Sequence, residues 1–237
     1  MKKKIISFSL WGDNTRYTIG AIHNAKLAEK IYPGWICRFY IGGTSVPEKI
    51  VNELSELKNT ELVFMGDPCG WDGLFWRFYA AADADVMICR DTDSRLGLRE
   101  KFAVYEWLVS SDKNFHIMRD SVSHGVPICG GMWGVRNGLL SNIKTLVEDH
   151  QRTAEGKFFF DDDQHFLAEI VYPLVVEQAM QHDHFFSVST ANRWTKLALR
   201  GSGGAFFGRT IPFPVDAGRS DDLYVGKIYG PNDDAWK

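Results

Sequence analysis

Cysteine is scarce in this chain, and its placement excludes two classes of protein. The four cysteines, Cys37, Cys69, Cys89 and Cys129, are widely spaced and form no CxxC pair. A structural zinc site and the disulfide framework of a small secreted domain both depend on closely set cysteines, so neither is expected. We therefore expect a protein of a reducing compartment, the cytoplasm.

The chain also lacks a long apolar run and a large excess of charge of either sign. The apolar stretch IISFSL at residues 5–10 gives way at once to WGDN, which is too short for a signal peptide or a transmembrane segment. A formal net charge of -3 and a pI near 6.2 supply no broad basic field, so no nucleic-acid partner is expected. With 237 residues, 45% of them hydrophobic, the chain has the size and apolar content of one globular domain.

Strand-like and helical segments alternate along the first half of the sequence. This alternation predicts an α/β fold with a mostly parallel central sheet and helices on both faces. Strands are predicted at residues 4–10, 35–41, 61–65, 85–90 and 115–119, with a further strand after the glycine-rich 129–134. Helices are predicted at residues 18–31, 47–57, 73–83, 99–110, 139–152 and 163–172. From residue 192 onwards we expect an irregular C-terminal region.

Two aspartates follow the fourth predicted strand, in the stretch VMICRDTDSRLG at residues 86–97. Open α/β sheets bind their ligands at the carboxyl ends of central strands. Residues two apart in extended backbone point the same way, so Asp91 and Asp93 face one pocket, with Thr92 turned aside. Such paired carboxylates select Mg²⁺ or Mn²⁺, and that cation typically completes its shell with phosphate oxygens. The pair therefore predicts a divalent-cation site that holds a diphosphate.

Other proteins share part of this pattern. An EF-hand is excluded by Arg95, Leu96 and Phe102, which stand where its loop needs an acid or amide, Gly and Glu. Arg95 also disfavours a phosphatase of the haloacid dehalogenase type, because that family usually has Thr or Val at this position. A purely structural alternative, in which the aspartates cap the next helix and pair with neighbouring arginines, stays open. No GxGxxG follows the first strand, so a dinucleotide-binding fold is not supported.

The ordered set of motifs resembles a glycosyltransferase of the GT-A fold. Its pieces, over roughly residues 4–185, are ISFSLWG, YPGW, FWRFYAAAD, ICRDTDSR, CGGMWG and DDDQHF. The resemblance implies one Rossmann-like GT-A domain over residues 1–237, with a nucleotide-binding half of about 1–95 and an acceptor half of about 96–237. It implies Mn²⁺ or Mg²⁺ on Asp91 and Asp93. The nucleotide-sugar contacts that it implies come from Leu10, Trp11, Gly12, Arg77, Asp91, Thr92 and Asp93.

Two further motifs have a functional and a structural interpretation. Arg77 suits phosphate or hydroxyl oxygens through its forked guanidinium, or else forms an ordinary salt bridge to Asp83 or Asp85. Gly130 and Gly131 let the backbone approach a ligand closely, and Trp133 has a face that fits a sugar, which predicts an acceptor wall. The alternative is a tight turn with Trp133 buried. His124, in the preceding loop, is either an acceptor contact or a solvated side chain.

The stretch FFFDDDQHF at residues 158–166 is expected to run from an apolar strand into a helix. Acids in a first helical turn interact favourably with the helix dipole and explain at least two of the three aspartates. By the resemblance, Asp163 is the general base of an inverting enzyme, or Asp163 and Gln164 flank the sugar of a retaining one. The resemblance also implies a third metal ligand from QHDHFF at residues 181–186, through His182, with His184 as the alternative.

These residues together predict a metal-dependent glycosyltransferase. It would move a sugar from a UDP or GDP sugar to a hydroxyl group of a glycan or other glycoconjugate. A sugar nucleotidyltransferase is the alternative enzyme, although the lysine-containing glycine-rich loop it normally carries is missing from WGDNTR. A catalytically inactive carbohydrate-binding domain on the same scaffold is the alternative from another class, suggested by an aromatic content of 14%.

Overall fold

The computed structural model describes residues 2–66, 71–121, 123–153, 160–184, 210–214, 223–230 and 233. Within these residues, eight strands form one sheet: β1 (Lys4–Leu10), β2 (Ile36–Gly42), β3 (Thr60–Met65), β4 (Val86–Cys89), β5 (Phe115–Arg119), β6 (Trp133–Arg136), β7 (Ala179–Asp183) and β8 (Thr210–Ile211). Their order is β3-β2-β1-β4-β6-β5-β7-β8. Strand β6 runs antiparallel to β4 and β5, and the other neighbouring pairs are parallel. The predicted mostly parallel sheet is confirmed.

Helices cover both faces of the sheet. They are α1 (Thr15–Ile31), α2 (Glu48–Glu56), α3 (Gly73–Trp76), α4 (Leu98–Ser110), α5 (Ile143–Thr153), α6 (Asp162–Phe166) and α7 (Tyr172–Val175). Side chains alternate between the faces along each strand. Ile6 and Ile88 therefore join one buried core with α1, α2 and α4, whereas Ile5 and Met87 join a second with α3, α5, α6 and α7. No helix among the described residues has the length and apolar composition needed to cross a membrane.

The first four strands confirm the sequence prediction to within one residue at each end. Helix α1 begins earlier than predicted, at Thr15, because the Asn14 side chain accepts a hydrogen bond from the Arg16 amide and caps the helix. The prediction of one helix over residues 73–83 is wrong. That segment is α3 followed by a 3₁₀ turn at Tyr79–Ala82, because the Arg77 amide donates to Ser9 Oγ at 2.9 Å. This contact ties the segment to β1.

The prediction of one helix over residues 163–172 needs a similar correction. Helix α6 passes into a π-helical turn at Leu167–Val171 before α7 begins. Pro173 lies at the start of α7, and proline lacks the amide N–H that would continue an ordinary helical ladder. A wider turn at this point accommodates the missing donor.

Strand β7 is not among the sequence predictions. Its residues, AMQHD, have little strand-forming character, and its three buried members are Gln181, His182 and Asp183. Most of the expected irregular C-terminal region lies outside the described residues, as does most of the apolar strand predicted before Asp161. Phe160, at the end of that stretch, is an exposed turn residue.

Candidate active site

The site lies where the strand order reverses. Strand β1 is followed along the chain by β2 and β3 on one side of the sheet, whereas β4 lies against its other side. The loops that leave β1 and β4 therefore meet at the carboxyl edge of the sheet and leave a crevice between them. Trp11 and Gly12 occupy the first loop, and Asp91 and Asp93 occupy the second.

The two aspartates differ in their exposure. The Asp91 side chain is 40% exposed, whereas Asp93 is 8% exposed. Burial and the nearby Asp91 carboxylate raise the pKa of Asp93 to about 6. Thr92 is buried, and its backbone carbonyl accepts a hydrogen bond from Asn24 Nδ2 on α1. The loop therefore places two acidic side chains close together at a partly buried position.

Arg77 connects the aspartate pair with the later acidic motif. Its guanidinium contacts Asp91 Oδ1 through Nη1 at 3.2 Å and donates to Asp163 Oδ2 through Nη2 at 2.6 Å. Burial alone would lower the pKa of Arg77, but these two carboxylates raise it, so the guanidinium stays charged. The structure thus brings together three residues that lie at positions 77, 91 and 163 of the sequence. The alternative pairing of Arg77 with Asp83 is not observed, because Asp83 pairs with Arg38.

Asp163 and Gln164 lie at the start of α6, beside Arg77. Asp163 is 2% exposed, and burial raises its pKa to about 6 although Arg77 opposes the shift. With its amide oriented to suit its neighbours, Gln164 donates to the Ile128 carbonyl at 3.2 Å and accepts from the Gly130 amide at 2.8 Å. The adjacent acid has another partner, because Asp162 Oδ1 contacts His150 Nε2 at 3.0 Å. Asp163 therefore contacts Arg77, whereas Asp162 is directed to His150.

Gly130 and Gly131 form a wall against these side chains. A Cβ on Gly130 would lie 2.5 Å from Arg77 Nη2 and 2.8 Å from Asp163 Oδ2. A Cβ on Gly131 would lie 2.1 Å from Asp91 Oδ2. A side chain on Gly130 would displace the ends of the Arg77 and Asp163 side chains, and one on Gly131 would also meet the Asp91 backbone nitrogen at 2.8 Å, so both glycines permit the observed packing.

The prediction that Trp133 offers a sugar-stacking face is wrong. The ring is fully buried, and it packs against Phe78 and Phe115 with centroid distances of 5.4 and 5.3 Å. Its Nε1 donates to the Gly130 carbonyl at 3.1 Å. Trp133 therefore supports the glycine wall from the core and has no free face for a ligand.

The loop after β1 has one core residue and two residues at the crevice. Leu10 is 1% exposed and belongs to the core, so its side chain does not line the crevice. Trp11 is partly buried and packs closely on Gly42 and Gly73. Gly12 has a φ of 73°, which favours glycine, and its amide donates to Ser45 Oγ at 2.9 Å.

His182 is engaged elsewhere. It is fully buried in β7, with Nδ1 2.7 Å from His116 Nε2 and Nε2 3.2 Å from Glu106 Oε2. A bond from His182 to a metal would replace one of these contacts. His184 follows the same strand, and its amide donates to the Arg119 carbonyl. The described part of the chain contains no group of three His, Cys, Asp or Glu side chains placed to hold a metal ion.

His124 is not the solvated side chain that the structural interpretation predicted. Its Nδ1 accepts hydrogen bonds from the Asp120 and Ser121 amides at 3.0 and 3.1 Å. Burial lowers its pKa to about 4, so it is neutral near pH 7. Because Nδ1 is the acceptor, the tautomer carries its proton on Nε2.

Two residues that contact the loop carrying the aspartates escaped the sequence analysis. Asn24 and Gly20 lie on α1, and both contact the backbone of the loop that carries the aspartates. An asparagine and a glycine in the interior of a predicted helix were the available signal, since neither is a strong helix former.

Comparison with solved structures identifies the fold. A glycosyltransferase involved in the glycosylation of the major capsid of PBCV-1 gives a TM-score of 0.50 at 15% identity, over 76% of this chain and 81% of that chain. A mannosyltransferase from Pyrobaculum calidifontis in complex with GDP-Man and Mn²⁺ gives 0.49 at 11% identity, over 77% of this chain and 55% of that chain. A galactosyltransferase in complex with donor and acceptor sugar analogs gives a TM-score of 0.48 at 13% identity, over 89% of this chain and 84% of that chain.

No protein-family model and no curated protein matches the sequence. The chain spans about half the length of the mannosyltransferase. At these identities the likeness concerns the fold, and of these three structures the capsid glycosyltransferase carries it. The chain has the GT-A glycosyltransferase fold, which confirms the expected resemblance.

Proposed function

We propose that this protein is a metal-dependent glycosyltransferase that moves a sugar from a nucleoside diphosphate sugar to a hydroxyl acceptor. The observation that carries the proposal is the position of Arg77. It joins Asp91 to Asp163 within the crevice where the strand order reverses. Residues expected to bind the diphosphate and residues expected to act on the sugar thus share one site.

Asp91 and Asp93 fit a divalent cation. Both are carboxylates, their charges act on each other, and Asp93 is partly desolvated. Oxygen ligands of this kind suit Mn²⁺ or Mg²⁺. When bound, the cation would supply Lewis-acid stabilisation of the charge that develops on the leaving diphosphate. His182 stays a predicted third ligand, and we favour donor phosphate oxygens for the remaining positions because both its ring nitrogens already have partners.

The chain's own residues divide the remaining tasks. Trp11, Gly12 and the Leu10 backbone would bind the nucleoside of a UDP or GDP sugar, in the half formed by about residues 1–95. Arg77 would hold donor oxygens through its forked guanidinium. Asp163 would deprotonate or orient the acceptor hydroxyl, or flank the sugar together with Gln164. Gly130 and Gly131 would let the acceptor or sugar approach the backbone, in the half formed by about residues 96–237.

We also propose a cytoplasmic location. The described cysteines, Cys37, Cys89 and Cys129, are free thiols. Burial raises the pKa of the Cys37 and Cys129 thiols to about 12, so these groups are unreactive. Such thiols suit a reducing compartment, where no disulfide is needed for stability.

The test is sugar release or transfer from UDP and GDP sugars in the presence of Mn²⁺. Activity should disappear in EDTA and in Asp93→Ala, whereas Asp83→Ala should retain it, because Asp83 pairs with Arg38 away from the crevice. Full activity of the Asp93→Ala variant, or of the wild type in EDTA, would overturn the proposal. Pyrophosphate release from a nucleoside triphosphate would indicate a nucleotidyltransferase instead. Sugar binding that depends on neither metal nor nucleotide would indicate an inactive binding domain.

A further inference from the structure

One buried side chain of α1 forms hydrogen bonds with the loop that carries the aspartates. We call residues 91–96 the aspartate loop. Asn24 is 1% exposed, and its Nδ2 donates to the carbonyls of Thr92 and Ser94 at 3.2 and 2.9 Å. Its Oδ1 accepts from the Leu96 amide at 3.1 Å. All three of these hydrogen bonds from the Asn24 side chain go to the aspartate loop.

These bonds fix the backbone on both sides of Asp93. The carbonyls of Thr92 and Ser94 face α1, whereas the Asp93 carbonyl accepts from the Tyr229 amide at 2.8 Å. Both peptide groups flanking Asp93 are thereby held in orientation. The direction in which the Asp93 side chain leaves the loop follows from that backbone geometry.

Gly20, one helical turn before Asn24, permits the close contact. A Cβ at this position would lie 2.1 Å from the Thr92 carbonyl oxygen and 3.1 Å from its carbon. Any other residue would push the aspartate loop away from α1. The helix therefore accepts a glycine in its interior, where alanine would be the better helix former.

The restraint that Asn24 places on the aspartate loop has a physical reason. Asp91 and Asp93 bring like charges together, and Asp93 is largely removed from water. Without a restraint the loop would relax so that the charges separate. A cation would then have to reassemble the pair on binding, and that reorganisation would weaken its affinity.

We propose that Asn24, brought into contact by Gly20, is a positioning residue that holds Asp91 and Asp93 in the arrangement that binds a divalent cation. This inference rests on the proposed function. Residues that orient metal ligands typically change metal affinity by 10- to 100-fold when they are replaced. Arg95 Nη1 also donates to the Thr92 and Ser94 carbonyls, so the loop stays partly held without Asn24. We therefore expect the lower part of that range.

The experiment measures Mn²⁺ affinity of the full chain by electron paramagnetic resonance of the free ion. Asn24→Ala, Asn24→Ser and Gly20→Ala should each weaken Mn²⁺ binding by about tenfold. Asn59→Ala is the matched control, because Asn59 is another asparagine that donates to α1, to the Ala25 carbonyl at 2.8 Å, without touching the aspartate loop. It should leave Mn²⁺ affinity unchanged.

Activity gives a second readout. The rate of sugar transfer by each Asn24 and Gly20 variant should recover at high Mn²⁺ concentration. General damage to the fold would not be reversed by the ion. Wild-type affinity in the folded Asn24→Ser and Gly20→Ala variants would overturn the positioning role while leaving the proposed function intact. A wild-type protein that binds no Mn²⁺ would overturn the metal-dependent function itself and, with it, this role.

Discussion

Two groups of buried or half-buried carboxylates in this molecule are compensated differently. In the first group each acid contacts an arginine of its own: Glu100 with Arg90 at 3.2 Å, Asp120 with Arg99 at 2.8 Å and Asp183 with Arg119 at 2.5 Å. In the second group Asp91 and Asp163 share Arg77, and Asp93 lies close enough to Asp91 for their charges to repel. The first group has one positive charge for each negative one, and the second does not.

The difference separates structural acids from functional ones. Fully paired buried charges hold elements together, as Arg119 and Asp183 do between β5 and β7. An excess of buried negative charge destabilises the fold and persists where a cation compensates it. The contrast supports the proposed cation site in the crevice without reference to any motif.

The largest expected effect is on stability in the first group. Asp183→Asn would leave the Arg119 guanidinium charged and fully buried, so the free energy of unfolding should fall by about 3–5 kcal/mol. Urea denaturation measures the loss. Asp83→Asn is the control, because Asp83 is exposed and its partner Arg38 keeps Glu61, and it should change stability by less than about 1 kcal/mol. Equal losses in the two variants would contradict the contrast.

The next effect is on catalysis in the second group. Asp93→Asn should reduce the rate of sugar transfer by about 10²- to 10³-fold, because a bound cation contributes several kcal/mol and each 1.36 kcal/mol is a factor of ten. Initial rates with a UDP or GDP sugar measure this effect. A variant that works at the wild-type rate would show that Asp93 has no part in the chemistry.

The same substitution should raise stability. Because burial and Asp91 raise the pKa of Asp93 to about 6, the ionised side chain destabilises the folded protein at pH 7. Asp93→Asn should therefore increase the free energy of unfolding by about 1–3 kcal/mol in metal-free buffer. Denaturation in EDTA tests this increase, and a loss of stability would place Asp93 among the structural acids.

The smallest net effect is on the pH dependence of stability. Burial lowers the pKa of His116 and of its partner His182. These two histidines therefore bind protons more readily in the unfolded chain than in the folded protein, and the stability falls as the pH drops below about 6.5. The groups facing this pair are Glu106, Arg90 and Arg99. Asp93 and Asp163 act in the opposite direction, because their raised pKa values favour protonation of the folded state between about pH 6 and 4.

These opposing contributions can be separated. Removing the two acids in Asp93→Asn/Asp163→Asn should make the acid-induced loss of stability steeper than in the wild type. Urea midpoints at several pH values between neutral and mildly acidic measure the slope. An unchanged slope would show that the two carboxyl groups have ordinary pKa values, and so that the second group carries no excess charge.

The sequence was sufficient to predict the elements whose structure depends on local pattern. Strands β1 to β4 are short apolar runs between loop residues, and their predicted bounds hold to within one residue. The aspartate pair was found for the same reason, since it follows β4 directly. Strand β7 was missed because its inward-facing residues, such as Gln181 and Asp183, are polar and depend on partners from distant parts of the chain.

The site itself depends on contacts that no local pattern encodes. Arg77 meets Asp163 across 86 residues, and Asn24 meets Ser94 across 70. Trp133 illustrates the opposite error, because a tryptophan beside glycines fits a sugar surface and a core position equally well in sequence. Its burial is decided by the rings of Phe78 and Phe115, which tertiary packing brings to it.

The most direct test is calorimetric titration of the protein with UDP and with GDP, each in Mn²⁺ and in EDTA. One of the two nucleotides should bind in Mn²⁺, and its binding should be lost in EDTA and in the Asp91→Asn/Asp93→Asn variant. Binding that is equally tight without the cation, or no binding of either nucleotide in Mn²⁺, would contradict the proposal that Asp91 and Asp93 hold a metal ion against a diphosphate.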